Sequence, residues 1–147
     1  MPKRGKDMNQ EEMKQRTKLF ALGVIQLVES LPKERTAEIL GRQLLPSGTS
    51  VGSNYRSACR ARSIADFISK MGIVEEEVDE SVYWMELLIE AGMEVSGNME
   101  ALMKEAGELL ALAVASIKTA RKNKKMTRCR TDQILALNPQ SEIRHPK

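Results

Sequence analysis

The side chains in this sequence that could do chemistry are few, and their spacing argues against most of it. Glu76 and Glu80 lie four residues apart, as do Glu86, Glu90 and Glu94, so each set would share one helix face. Helical bundles build dimetal centres from such carboxylates, but together with Glu-x-x-His motifs on two helices. The single histidine, His145, stands at the extreme C-terminal end, so a solvated acidic face is expected rather than a metal site. A serine or cysteine nucleophile needs a general base within hydrogen-bond reach. No internal histidine exists to serve Ser47, Ser50, Cys59 or Cys129. The stretch Pro46-Ser47-Gly48-Thr49-Ser50-Val51-Gly52-Ser53-Asn54 is rich in glycine and hydroxyl groups, yet it lacks the G-x-x-x-x-G-K-S/T pattern that cradles phosphates. No catalytic residue, no metal, no cofactor and no small-molecule substrate is expected.

The basic side chains offer a different chemistry. Arg56 and Arg60 stand one helical turn apart with Arg62 just beyond, and Lys118, Arg121, Lys122, Lys124, Lys125, Arg128 and Arg130 form a dense cluster. Cations at this density can neutralise successive phosphates of RNA or DNA and release their counterions. No aromatic residue is interleaved, so binding without sequence readout is the expectation. The alternative is a structural or protein-partner adaptor whose basic end only offsets its acidic middle. The charge is indeed unevenly placed: residues 1–71 hold 13 basic and 7 acidic groups, residues 72–117 one lysine against 11 acids, and residues 118–147 nine basic groups against two acids. Opposed surfaces follow from that distribution, which the net charge of +3 conceals.

These groups must be positioned by helices. Aromatics are only 3% of the 147 residues, while 9 methionines accompany abundant Leu, Ala, Glu and Lys, a composition that favours helix over strand. Met13, Thr17, Phe20, Val24, Leu27 and Leu31 define one face of a helix over residues 10–31, with Asn9 as N-cap and Pro32 as terminator. Residues 33–45 read as helix again, with Ala37, Leu40 and Leu44 on one face. Residues 46–54 read as a loop by propensity alone, and helical composition resumes at 55–61. Ser63 caps the strongest helix, over residues 63–91, whose apolar face is Ile64, Phe67, Met71, Val74, Val78, Val82, Met85 and Ile89. A turn at Gly92–Gly97 leads to Asn98, the cap of a last helix reaching about Arg121, with Leu102, Ala106, Leu109, Ala113 and Ile117 facing inward. The division is a flexible N-terminus at 1–8, a bundle over 9–122 and a basic, mobile tail at 123–147. The class is all-α, with antiparallel helices joined by short turns. No run of about 18 apolar residues occurs, and the two cysteines form no CxxC, so a cytoplasmic protein away from membranes is expected.

From Val82 to Ile89 every residue but Glu86 is apolar. A helix apolar on nearly all sides must be covered by more than its own core. Tyr83, Trp84, Leu87 and Leu88 are therefore the expected subunit interface of a homo-oligomer.

Two dense runs carry a family resemblance. They are Gly41-Arg42-Gln43-Leu44-Leu45-Pro46-Ser47-Gly48-Thr49-Ser50-Val51-Gly52-Ser53-Asn54, and Asp66-Phe67-Ile68-Ser69-Lys70 followed by Glu76 and Glu80-Ser81-Val82-Tyr83-Trp84-Met85. Their order and spacing resemble the bacterial four helix bundle protein family, which includes proteins encoded in intervening sequences of 23S ribosomal RNA genes. The fold is similar to that of the accessory protein of diversity-generating retroelements. The resemblance spans about residues 13–120 and implies a left-handed up-down-up-down four-helix bundle that assembles as a homopentamer. It also implies a kinked second helix over about Lys33–Ala61, with the Ser-Gly-Thr-Ser stretch inside it, and no catalytic activity. On such a helix Ser47, Ser50 and Asn54 share one face and satisfy backbone groups freed at the kink. Arg42 and Glu80 are expected to complete that network as an interhelical pair.

Overall fold

Asn9 opens the first helix as its residue type predicts. Its side-chain oxygen accepts the Glu12 N–H at 2.9 Å, satisfying a donor that the first helical turn leaves free. The computed structural model describes residues 9–93 and 97–137; the expected flexible segment at 1–8 and the chain from 138 onward lie outside them. Four helices and no strand occur among the described residues: α1 (Gln10–Ser30), α2 (Arg35–Cys59), α3 (Ile64–Glu90) and α4 (Met99–Leu137). Leu31, pushed to extended backbone by Pro32, ends α1. Ser63 caps α3 by accepting the Asp66 N–H at 3.0 Å. At the other end of α3, Gly92 adopts a left-handed φ of 70°. Its N–H reaches the Ile89 carbonyl and the Met93 N–H reaches that of Leu88, the paired bonds of a Schellman stop. The turn expected at Gly92–Gly97 is described only at its ends.

The second helix runs unbroken through residues 46–54, where propensity alone reads a loop. Tertiary packing overrides propensity here, and the small residues explain how. A Cβ on Gly48 would lie 2.8 Å from both γ-methyls of Val24, and one on Gly52 would lie 3.2 Å from the Thr17 hydroxyl. Gly41 meets Val28 and Leu31 in the same way, so α1 and α2 approach closely and run in opposite directions. The hydroxyl and amide groups turn back onto their own helix. Ser47 donates to the Leu44 carbonyl at 3.0 Å, Thr49 to Leu45 at 2.8 Å and Asn54 to Ser50 at 2.8 Å. Local bonding of this kind is available to a helix as well as to a loop.

The helices pack α1 on α2, α2 on α3, α3 on α4 and α4 back on α1, around one core. Phe20, Val24, Leu27, Leu44, Val51, Met71, Val74, Val78, Met85, Leu88, Met99 and Leu109 are its largest fully buried members. The α3 face differs from the sequence expectation in its last turns. Ser81 and Leu88 point inward, at 0% exposure each, while Ile89, expected inside, is 41% exposed. The buried line Met71, Val74, Val78, Ser81, Met85 and Leu88 steps by 3, 4, 3, 4 and 3, the heptad spacing of closely packed helices, whereas the expected face took a second consecutive step of four at Val82 and so ran one position ahead.

The fourth helix corrects a second expectation. It does not stop near Arg121 but continues to Leu137. Ala120 is its last buried residue, and every position from Arg121 to Leu137 is exposed. At 1.5 Å per residue this arm projects ~25 Å beyond the core. Nucleation is the costly step of helix formation, and the packed part of α4 supplies it.

Candidate nucleic-acid interface

The two basic groups, distant in sequence, stand at the same end of the bundle. A cleft of about 770 Å³ opens there. Its walls are the end of α2 with the α2–α3 turn (Ala58, Cys59, Arg62, Ser63), the first turn of α3 (Ile64, Phe67) and α4 from Leu112 to Asn123. Arg62 stands on its rim, and Arg56 and Arg60 are exposed on the last turn of α2 and at its end. Lys118, Arg121 and Lys122 are exposed on α4 beside Thr119 and Asn123, which line the cleft. Lys124, Lys125, Arg128 and Arg130 continue outward along the arm. Sequence reasoning named all of these cations but set the last group on a tail outside the bundle; on a helix they acquire a face. Lys118, Arg121, Lys125 and Arg128 step by 3, 4 and 3 and form a single stripe.

The arm is electrostatically uncomfortable by itself. Lys118 and Lys122, Arg121 and Lys125, and Lys124 and Arg128 are like charges four residues apart, each pair costing about 0.2–0.5 kcal/mol. No ion pair among the described residues involves any of these cations. A polyanion laid along the stripe would remove the repulsion.

The cleft is poor ground for catalysis. Cys59 and the hydroxyls of Ser63, Ser116 and Thr119 line it, and among the described residues no histidine or carboxylate joins them to serve as a base. Burial pushes the Tyr55 phenol upward, a hydrogen bond to Cys59 adds to the shift, and the group stays neutral. Among the described residues no cluster of His, Cys, Asp or Glu is arranged to hold a metal ion. No helix among them is long and apolar enough to cross a membrane.

The expected polar network forms in part. Ser81 donates across the α2–α3 contact to Ser47 at 3.2 Å, with both side chains buried. Ser50 contributes only its carbonyl, which accepts from Asn54. The Arg42–Glu80 pair is absent: Arg42 is exposed, and the Glu80 carboxylate accepts instead from the Trp84 indole at 3.1 Å. On α3, Tyr83 is 52% exposed and meets Trp84 edge-on at 5.0 Å between ring centres. Trp84 and Leu87 are half-buried, whereas Leu88 belongs to the core and leaves the interface set.

Two features went unread in the sequence. Arg16 of α1 clamps Glu105 of α4 through two bonds, at 2.8 and 2.9 Å, and reaches Glu108 at 2.6 Å. The three-residue step between Glu105 and Glu108 was the available signal. Leu19, Leu22 and Ile25 are exposed on α1, and the run from Leu19 to Val28 is apolar nearly all round, the same sign that marked α3.

Comparisons with known proteins bear on the fold and the family. A crystal structure from Bacteroides thetaiotaomicron, described as a protein of unknown function from the S23 ribosomal protein family, is 34% identical. It covers 74% of this chain and 97% of its own, with a TM-score of 0.68. No curated protein matches the chain. The model of the 23S rRNA-intervening sequence proteins matches residues 9–115, from the cap of α1 through most of the packed part of α4, and the chain belongs to that family.

Proposed function

We propose that the protein is a non-enzymatic, self-assembling helical bundle that binds RNA or DNA through its basic end. The observation that carries this reading is the density of exposed cations at one end of the bundle, with Arg56, Arg60 and Arg62 at the end of α2 and in the α2–α3 turn, and the α4 cations beginning at the same level. Phosphate neutralisation needs many cations on one side, and the acidic middle of the chain, which would repel phosphates, lies along α3 and the packed part of α4. The family's name refers to 23S rRNA and the structural relative's to a ribosomal protein, so RNA is the first ligand to test. In the same reading Tyr83, Trp84 and Leu87 join copies into an oligomer of five in the cytoplasm. Each copy is a left-handed up-down-up-down bundle, bent at Pro46, where the missing N–H leaves the Arg42 carbonyl without its helical donor.

The test is fluorescence anisotropy of labelled single-stranded RNA near physiological salt. The wild-type chain is expected to bind, and replacing Arg56, Arg60 and Arg62 together by alanine is expected to weaken binding on every sequence tried to a similar degree. Absence of binding, or binding untouched by these changes while a protein partner is retained, favours the adaptor.

A further inference from the structure

Among the described residues nothing packs on the arm of α4, and its stripe has a counterpart elsewhere in the molecule. On the outward side of α3, Glu76, Asp79, Tyr83 and Glu86 are all exposed and step by 3, 4 and 3, with Glu90 one turn further. Lys118, Arg121, Lys125 and Arg128 repeat the same steps with opposite charge. Each set spans ~15 Å along its helix. No cation occurs on α3 from Gly72 to Glu90.

One chain cannot bring the two together. Phe67, in the first turns of α3, shares the cleft with Thr119 and Asn123 of α4, and Glu76 and Asp79 share a groove with Leu110. From Leu110 the α4 chain passes Lys118 and leads out along the arm, whereas α3 leads from Glu76 back toward Glu90 at the opposite end. The stripe therefore begins beyond the level of its own acidic ridge and recedes from it.

We propose that the basic stripe of the α4 arm docks on the Glu76–Glu86 ridge of a second copy of this chain. The proposal rests on the self-assembly in the reading above, and it does not need nucleic acid. Charge complementarity selects the occupant: the arm's repulsive cations meet carboxylates at matching intervals, and the cation opposite Tyr83 lies over an aromatic ring. Crowding is felt on the α3 side too, where burial and the neighbouring Glu80 and Glu76 carboxylates hold Glu77 above the usual carboxylate range. Stripe and ridge are different surfaces, so the contact is head-to-tail and closes into a ring or continues as a filament. The family match ends at residue 115, before the stripe, while the ridge lies inside it. A polyanion bound to the stripe would compete with it.

The experiment measures mass by light scattering at micromolar concentration, in low and high salt, on full-length chains of unchanged helical content. Lys118 and Arg128 face Glu76 and Glu86 whichever way the helices run. The wild-type chain should exceed 16.5 kDa severalfold at low salt and lose mass as salt rises. Lys118→Glu with Arg128→Glu should lower the mass, as should Glu76→Lys with Glu86→Lys, and all four changes together should restore it. A wild-type assembly that keeps its mass in the Lys118→Glu, Arg128→Glu variant overturns the docking and leaves self-assembly standing. So does a helical four-fold variant that fails to recover. A wild-type chain that is monomeric at low salt overturns both.

Discussion

Gly48 of α2 faces Val24 of α1 so closely that a Cβ there would stand 2.8 Å from both valine γ-methyls. Val24 is fully buried and β-branched, so it cannot turn aside. Gly48→Ala is therefore expected to destabilise the bundle. Overpacking costs about 1–3 kcal/mol, which the gain of about 1 kcal/mol in helix propensity offsets only partly. Gly107 is exposed on α4, and a Cβ added there would meet no atom within 4 Å. It should respond the opposite way and gain about 0.5–1 kcal/mol as alanine. Thermal melts of the two variants check both signs.

This contact shows what the sequence could and could not disclose. Apolar spacing placed α1 and the packed part of α4 correctly, because Met13 to Leu27 and Leu102 to Ala120 keep one face without interruption. At residues 46–54 the helix is held by the approach of α1, a long-range effect that local propensity does not contain. Leu88 and Ile89 exchanged roles because two adjacent apolar residues fit either register, and only packing against α2 and α4 decides. The arm was missed as a helix because it has no core to face, and apolar periodicity is the signal of a core. The cations of the site were legible individually. Their placement at one end of the bundle was not, because it depends on the α2–α3 turn lying beside the middle of α4.

The Arg16–Glu105 clamp should contribute modestly, since both side chains keep about a third of their exposure. The guanidinium is held above its usual range, chiefly by the hydrogen bond to Glu105. A double-mutant cycle through Arg16→Ala and Glu105→Ala is expected to give a coupling of about 0.5–1 kcal/mol, smaller at high salt. A coupling of zero would show that the bidentate geometry contributes nothing in solution.

Glu77 makes a pH prediction with a definite sign. Burial first, then Glu80 and Glu76, raise its pKa in the folded state. The folded chain thus holds this proton longer than the unfolded chain, and the contribution of Glu77 to stability falls as pH rises through the carboxylate range. Glu77→Gln should raise the melting temperature at pH 7, by an amount worth less than about 1 kcal/mol, and leave it unchanged at pH 3, where the side chain is neutral in both states. Equal shifts at the two pH values would assign the effect to packing rather than charge.

The central claim, that the basic end binds nucleic acid through its phosphates, is tested most directly by the salt dependence of affinity for a single-stranded RNA. Each phosphate contact contributes a slope of about −0.7 in log affinity against log salt. Replacing the stripe residues Lys118, Arg121, Lys125 and Arg128 by alanine in the full-length chain should flatten the wild-type slope by about 2.8. A wild-type chain that binds no RNA near physiological salt, or a variant whose slope equals the parent's, would contradict the assignment of the arm to phosphates.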